Sequence, residues 1–134
     1  MNEAGKSGAM SLVTAGDAAN LLAPFFAHEP NRERLICVHL DVSGGVLAVE
    51  EVGCGGLHSA PVPLRQIIAR ALSVEAAGLI LAHNHPSGDA APSREDVAAT
   101  RRLAEVGQAL GLRLHDHLIF AGGSCQSFRA SGLL

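Results

Sequence analysis

The chain has 134 residues, 48% of them apolar and 17% charged, with a net charge of −3 when its histidines are neutral. That length fits one domain with its own core, and the composition excludes a disordered or fibrous chain. A mildly acidic balance argues against bulk nucleic-acid binding, which leaves a basic footprint, and no apolar run approaches the ~20 residues that span a membrane.

Residues 1–10, small and polar, read as a flexible tail ahead of a single domain over residues 11–134. Asp17 is placed to cap a short helix carrying Leu21, Leu22, Phe25 and Phe26, and His28-Glu29-Pro30-Asn31 breaks it. Leu35 to Val42 reads as a strand, Ser43-Gly44-Gly45 as a turn, and Val46 to Val52 as the returning strand of a hairpin. A third strand is expected near Leu57–Ala60. The pattern then predicts a helix over Leu64–Leu72 with Ile67, Ile68, Ala71 and Leu72 on one face. Ala77 to Ala82 is a continuous apolar run, which suits a central strand buried on both faces. A Pro- and Gly-rich loop follows from Asn84 to Pro92. Ser93 opens a long helix with Val97, Leu103, Val106 and Leu110 facing inward, ending at Gly111. Arg113 to Ala121 is a last strong strand, and Ser127 to Leu134 a short strand or packed end. The order implies an α/β (α+β) domain, a mixed sheet flanked by helices.

Three cysteines, Cys37, Cys54 and Cys125, are widely spaced and contain no C-x-x-C pair. They read as small buried or half-buried residues, not as a disulfide framework or a zinc ribbon. With no secretory pattern at the N-terminus, the cytoplasm is the default compartment. Arg94, Arg101, Arg102 and Arg113 lie close in sequence and are better read as a solvated helix face than as a nucleic-acid patch. Self-association as a homo-oligomer is compatible with this composition.

Chemistry concentrates in His83-Asn84-His85-Pro86-Ser87-Gly88-Asp89 and Pro92-Ser93-Arg94-Glu95-Asp96. Side chains two apart on a strand point the same way, so His83 and His85 project together at the end of the apolar run. Pro86 stops further pairing, and Gly88 permits a tight turn. Asp96 falls in the first turn of the next helix, from which the loop can fold it back toward the imidazoles. Two His and one carboxylate form a three-ligand set for one Zn²⁺, with a fourth position open for water. Ser93 and Asp96 also match the S-x-x-[DE] capping box, which requires no metal. A second His-x-His, His115-Asp116-His117, lacks a third ligand. Asp116 and His117 are candidates for bonding to the ligands from behind, and plain structural hydrogen bonding is the simpler reading. His28, His39 and His58 have no motif around them.

The string His83-x-His85-x7-Ser93-x2-Asp96 matches the JAMM (MPN+/JAB) metallopeptidase signature. The longer run HNHPSGDAAPSREDVAAT resembles the RadC (UPF0758) family, as do Asp116-His117-Leu118-Ile119 and Ser127-Phe128-Arg129, over roughly residues 17–134. The resemblance implies a JAB fold, related in architecture to cytidine deaminases. It implies zinc held by His83, His85 and Asp96, with Ser93 near the oxyanion and a general base on an earlier strand. The matching base is Glu33, with Asp41, Glu50 and Glu51 as rivals. The implied activity is hydrolysis of a peptide, isopeptide or other amide bond, with a peptide or protein as substrate.

The chain departs from the family in lacking room for an N-terminal helix-hairpin-helix region, in carrying Gln66 where a Glu is common, and in carrying Cys125-Gln126 where aromatics are frequent. The alternative function is a non-catalytic RadC-like module with a DNA-repair-associated or protein-binding role. A nucleoside deaminase is excluded, because that chemistry needs H-x-E with P-C-x-x-C. The string HNH does not by itself indicate an HNH nuclease.

Overall fold

The computed structural model describes residues 15–28, 30–54 and 62–134. In chain order its elements are α1 (Ala15–Ala27), β1 (Arg34–Leu40), β2 (Val46–Cys54), α2 (Leu64–Ser73), β3 (Gly78–Asn84), α3 (Arg94–Ala109), β4 (Arg113–Ala121) and β5 (Ser124–Ser127). The five strands form one mixed sheet in the order β2-β1-β3-β4-β5. Among the described strands only the β3–β4 pair is parallel, since α3 crosses between those strands, and the other neighbours run antiparallel. The α+β architecture expected from the sequence is the one observed.

The two central strands explain the layering. β1 is buried from Leu35 to Leu40 and β3 throughout. Alternate residues of β1 and β3 therefore feed two separate cores. Ile36, Val38, Leu40, Ile80 and Ala82 pack with Leu22 and Phe26 of α1. Leu35, Cys37, Leu79 and Leu81 pack with Ile67 of α2 and Leu103 of α3. His83 continues the odd-numbered row of β3, and so belongs to the α2/α3 side.

Several boundaries and faces differ from expectation. β1 ends at Leu40 because Asp41 takes over the turn: its Oδ1 accepts from the backbone N–H of Ser43 at 2.9 Å and of Gly45 at 2.8 Å. Val42 sits in that turn, 92% exposed. Asp17 lies inside the first turn of α1, not before it. Leu72 projects from α2 and is exposed. On α3 the buried residues are Thr100, Leu103 and Gly107, while Val106 and Leu110 are exposed. The sheet-facing stripe follows i, i+4, i+7 and i+11 from Asp96, which leaves Val106 well round the cylinder, and Leu110 is the C-cap. Gly107 is there for closeness, since a Cβ on it would stand 2.9 Å from the Leu112 carbonyl oxygen. The strand expected near Leu57–Ala60, the tail at residues 1–10, and His58 lie outside the described residues.

One irregularity matters for the site. In the β3–β4 ladder Leu79 pairs with Leu114, but Ile80 pairs with Asp116. The skipped residue, His115, is a bulge, and it shifts the side-chain alternation of β4 by one. Leu114 and His117, three apart, therefore share the α3 side, and the two histidines of His115-Asp116-His117 separate. His115 instead lies over Gly78, where a Cβ would come within 2.5 Å of its Nε2.

Candidate metal centre

His83 is the penultimate residue of β3 and buried; His85 follows the strand end. The backbone N–H of His85 still bonds the Phe120 carbonyl of β4 at 2.9 Å, which keeps its direction strand-like. Pro86 then breaks the ladder, and Gly88, at φ 91°, donates its N–H back to the His85 carbonyl at 3.1 Å. The turn delivers the Asp89 carbonyl oxygen to His85 Nδ1 at 2.8 Å. A carbonyl only accepts, so Nδ1 carries the proton and neutral His85 presents a bare Nε2.

Asp96 arrives from α3. Ser93 and Asp96 form the full capping box: Ser93 Oγ accepts from Asp96 N at 2.9 Å, and Asp96 Oδ2 accepts from Ser93 N at 2.9 Å. The same carboxylate reaches the imidazoles. Asp96 Oδ2 is 3.2 Å from His85 Nε2, and Oδ1 is 3.6 Å from His83 Nε2. The two Nε2 atoms are 2.9 Å apart. Burial opposes ionisation of Asp96, but the His83 ring and the Ser93 backbone N–H outweigh it and hold the carboxyl well below the usual carboxylate range.

Glu33 precedes β1. In the antiparallel register Leu35 faces His83, so two residues further back Glu33 comes opposite His85. A Glu33 carboxylate oxygen lies with the His83 and His85 nitrogens in a group spanning at most 4.8 Å. Two carboxylates thus reach the pair of imidazoles, Asp96 from the first turn of α3 and Glu33 from the residue before β1. The rival carboxylates are occupied elsewhere. Asp41 closes the hairpin turn, Glu50 contacts His39 and Arg70, and Glu51 pairs with Arg32 and Arg34.

Imidazole nitrogens and carboxylate oxygens are donor types that zinc takes. Four ligands at about 2.0–2.1 Å in tetrahedral array stand about 3.3 Å from one another. The two Nε2 atoms are 2.9 Å apart, and each meets a different oxygen of Asp96, at 3.2 Å for His85 and 3.6 Å for His83, spacings of that order.

The chain belongs to the RadC family. The profile of the RadC-like JAB domain matches residues 12–133. Among curated relatives, a UPF0758 protein of Rhodobacter capsulatus is 45% identical over 108 residues, covering 81% of this chain and 50% of that protein. UPF0758 proteins of Syntrophomonas wolfei and Bacillus licheniformis are 41% and 42% identical, covering 78% and 88% of this chain. The chain spans about half the length of these relatives: 44% of the first and 52% of the second. Among the described residues of this RadC-like domain, no helix is long and apolar enough to cross a membrane.

Two of the residues that build the centre are not in the signature. Asn84, between the ligating-type histidines, is buried and turned the other way. Its Oδ1 accepts from Arg34 N at 2.8 Å and its Nδ2 donates to the Arg32 carbonyl at 2.9 Å, so it grips the backbone on both sides of Glu33. His117 contacts His83 from behind, its Nε2 2.7 Å from His83 Nδ1. Asp116, its neighbour, faces away. Its carboxylate accepts from Ser127 Oγ at 2.6 Å, from Arg129 N at 3.0 Å and from His117 N at 2.8 Å, tying down the C-terminal turn.

Proposed function

We propose that this domain is a zinc-dependent hydrolase of the JAMM type, cleaving a peptide, isopeptide or other amide bond. The observation that carries this reading is the convergence of two imidazole Nε2 atoms and an ionised carboxylate at 2.9–3.6 Å, with the Glu33 carboxylate grouped with the same two histidines. That donor set suits a catalytic zinc, which keeps one position open, better than a closed structural one.

His83, His85 and Asp96 would hold the ion. Bound there, zinc supplies a water acidic enough to ionise near neutral pH and an electrophilic contact for a carbonyl oxygen. The Glu33 carboxylate would serve as the proton acceptor for an attacking water and would return that proton to the departing amine nitrogen, using one carboxylate for both transfers. Ser93 Oγ is an acceptor within the capping box and still carries a hydroxyl hydrogen. Donated to the carbonyl oxygen as negative charge grows on it, a contact of this kind contributes roughly 3–4 kcal/mol elsewhere. The substrate class that fits is a peptide or protein amide.

The test is a panel of linear and isopeptide-linked substrates assayed with wild type and Glu33→Gln, with zinc content measured in parallel. Glu33→Gln should retain zinc and lose turnover by roughly 10²–10⁴-fold. A fully active Glu33→Gln removes Glu33 from this role. Zinc-loaded wild type inert on every substrate class would favour a non-catalytic module.

A further inference from the structure

Behind His83 runs a short line of polar atoms buried under α3. His83 Nδ1 is 2.7 Å from His117 Nε2, His117 Nδ1 is 2.7 Å from Thr100 Oγ1, and Thr100 Oγ1 is 2.6 Å from the Asp96 carbonyl oxygen. His117 and Thr100 are both buried, and the imidazole stacks on Phe128 at 4.6 Å and 14°. The line thus leaves one ligand candidate, passes through two side chains, and ends on the backbone of another.

The direction of each bond follows from counting hydrogens. A carbonyl oxygen cannot donate, so Thr100 gives its only hydroxyl hydrogen to Asp96. Thr100 Oγ1 must then accept at His117, which places the ring proton of His117 on Nδ1. A buried neutral imidazole has one N–H, so His117 Nε2 is bare and accepts from His83 Nδ1. With its Nδ1 proton held there, His83 turns Nε2 toward His85 and Asp96, where a metal would replace any proton that Nε2 shares with the Asp96 carboxylate.

We propose that Thr100 is a positioning residue for the metal: acting through His117, it sets the tautomer and ring orientation of His83 and couples them to the first turn of α3. The inference rests on reading His83, His85 and Asp96 as a zinc site, and it assigns that site a control that the H-x-H-x7-S-x2-D signature does not contain. Removing the hydroxyl leaves His117 Nδ1–H without this acceptor, and His117 loses its reason to keep Nε2 bare.

The experiment is a zinc titration of the whole chain against a chromophoric chelator, for wild type, Thr100→Val and Thr100→Ser. Thr100→Val keeps the shape without the hydroxyl and should bind zinc roughly 10–100-fold more weakly, as is usual when a partner of a ligating His is lost. Thr100→Ser restores the hydroxyl and should recover most of that loss. A second readout is the long-range ¹H–¹⁵N spectrum of zinc-loaded wild type, in which His117 should be protonated on Nδ1 and bare on Nε2. A general packing defect would weaken both variants and would not fix the His117 tautomer. Thr100→Val binding within twofold of wild type, or His117 protonated on Nε2, overturns the proposal and leaves the zinc site standing. Wild type that binds no zinc refutes the site itself.

Discussion

Asn84→Ala tests how the sheet presents Glu33. The Asn84 amide is 4% exposed and makes two bonds across fifty residues of chain, accepting from Arg34 N at 2.8 Å and donating to the Arg32 carbonyl at 2.9 Å. Each such bond contributes about 0.5–1.5 kcal/mol net, and taking the partner from a buried backbone group costs about 1–3 kcal/mol. The two terms overlap, so a loss of roughly 2–4 kcal/mol is expected. Urea unfolding followed by circular dichroism measures it, with an unchanged m-value confirming that the folded and unfolded ensembles are otherwise alike. His83, His85 and Asp96 keep their own supports, so zinc stoichiometry should stay that of wild type. A loss below about 0.5 kcal/mol, the floor for one such bond, would refute the clamp.

Three further outcomes follow from the same structure. Gly107→Ala should destabilise by about 1–3 kcal/mol despite the better helix propensity of Ala, because the new Cβ meets a backbone carbonyl at 2.9 Å, and Gln108→Ala on the exposed side should not. Ser93→Ala removes the acceptor for Asp96 N, costs about 0.5–2 kcal/mol in thermal or urea unfolding, and should also weaken zinc binding by loosening the Asp96 carboxylate. The Cys37 thiol is pushed up to about 12, by burial first and by the Glu50 carboxylate second, so iodoacetamide at pH 8 should leave Cys37 unmodified in the native protein and modify it in urea. Peptide mapping by mass spectrometry separates it from the other cysteines, and rapid native labelling would contradict its burial.

Much of the fold is visible in the residues because the relevant signals are local. The apolar run before His83 marks a strand covered on both faces, Ser93-x-x-Asp96 marks a helix start, and Gly111, at φ 76°, marks that helix's end. The spacing of His83, His85 and Asp96 carries the cluster itself. What stayed hidden depends on tertiary register. The bulge at His115 cannot be read from an alternating strand, yet it alone brings His117 to the His83 side. Thr100 looks like any polar helix residue until α3 is laid on the sheet. Asn84 alternates with two metal-type ligands, and its partners, Arg32 and Arg34, are reached only through the β1–β3 pairing. Val106 and Leu110 are apolar yet exposed, and the inward row is Thr100, Leu103 and Gly107, with close approach to Leu112 at Gly107.

Zinc per chain, measured by elemental mass spectrometry on protein purified without chelator, tests the metal centre most directly. A value near one in wild type, falling toward zero in His83→Ala and Asp96→Ala, is the expected result. A value near zero that persists after zinc is added back would contradict it, because the three donors would then be meeting for packing alone.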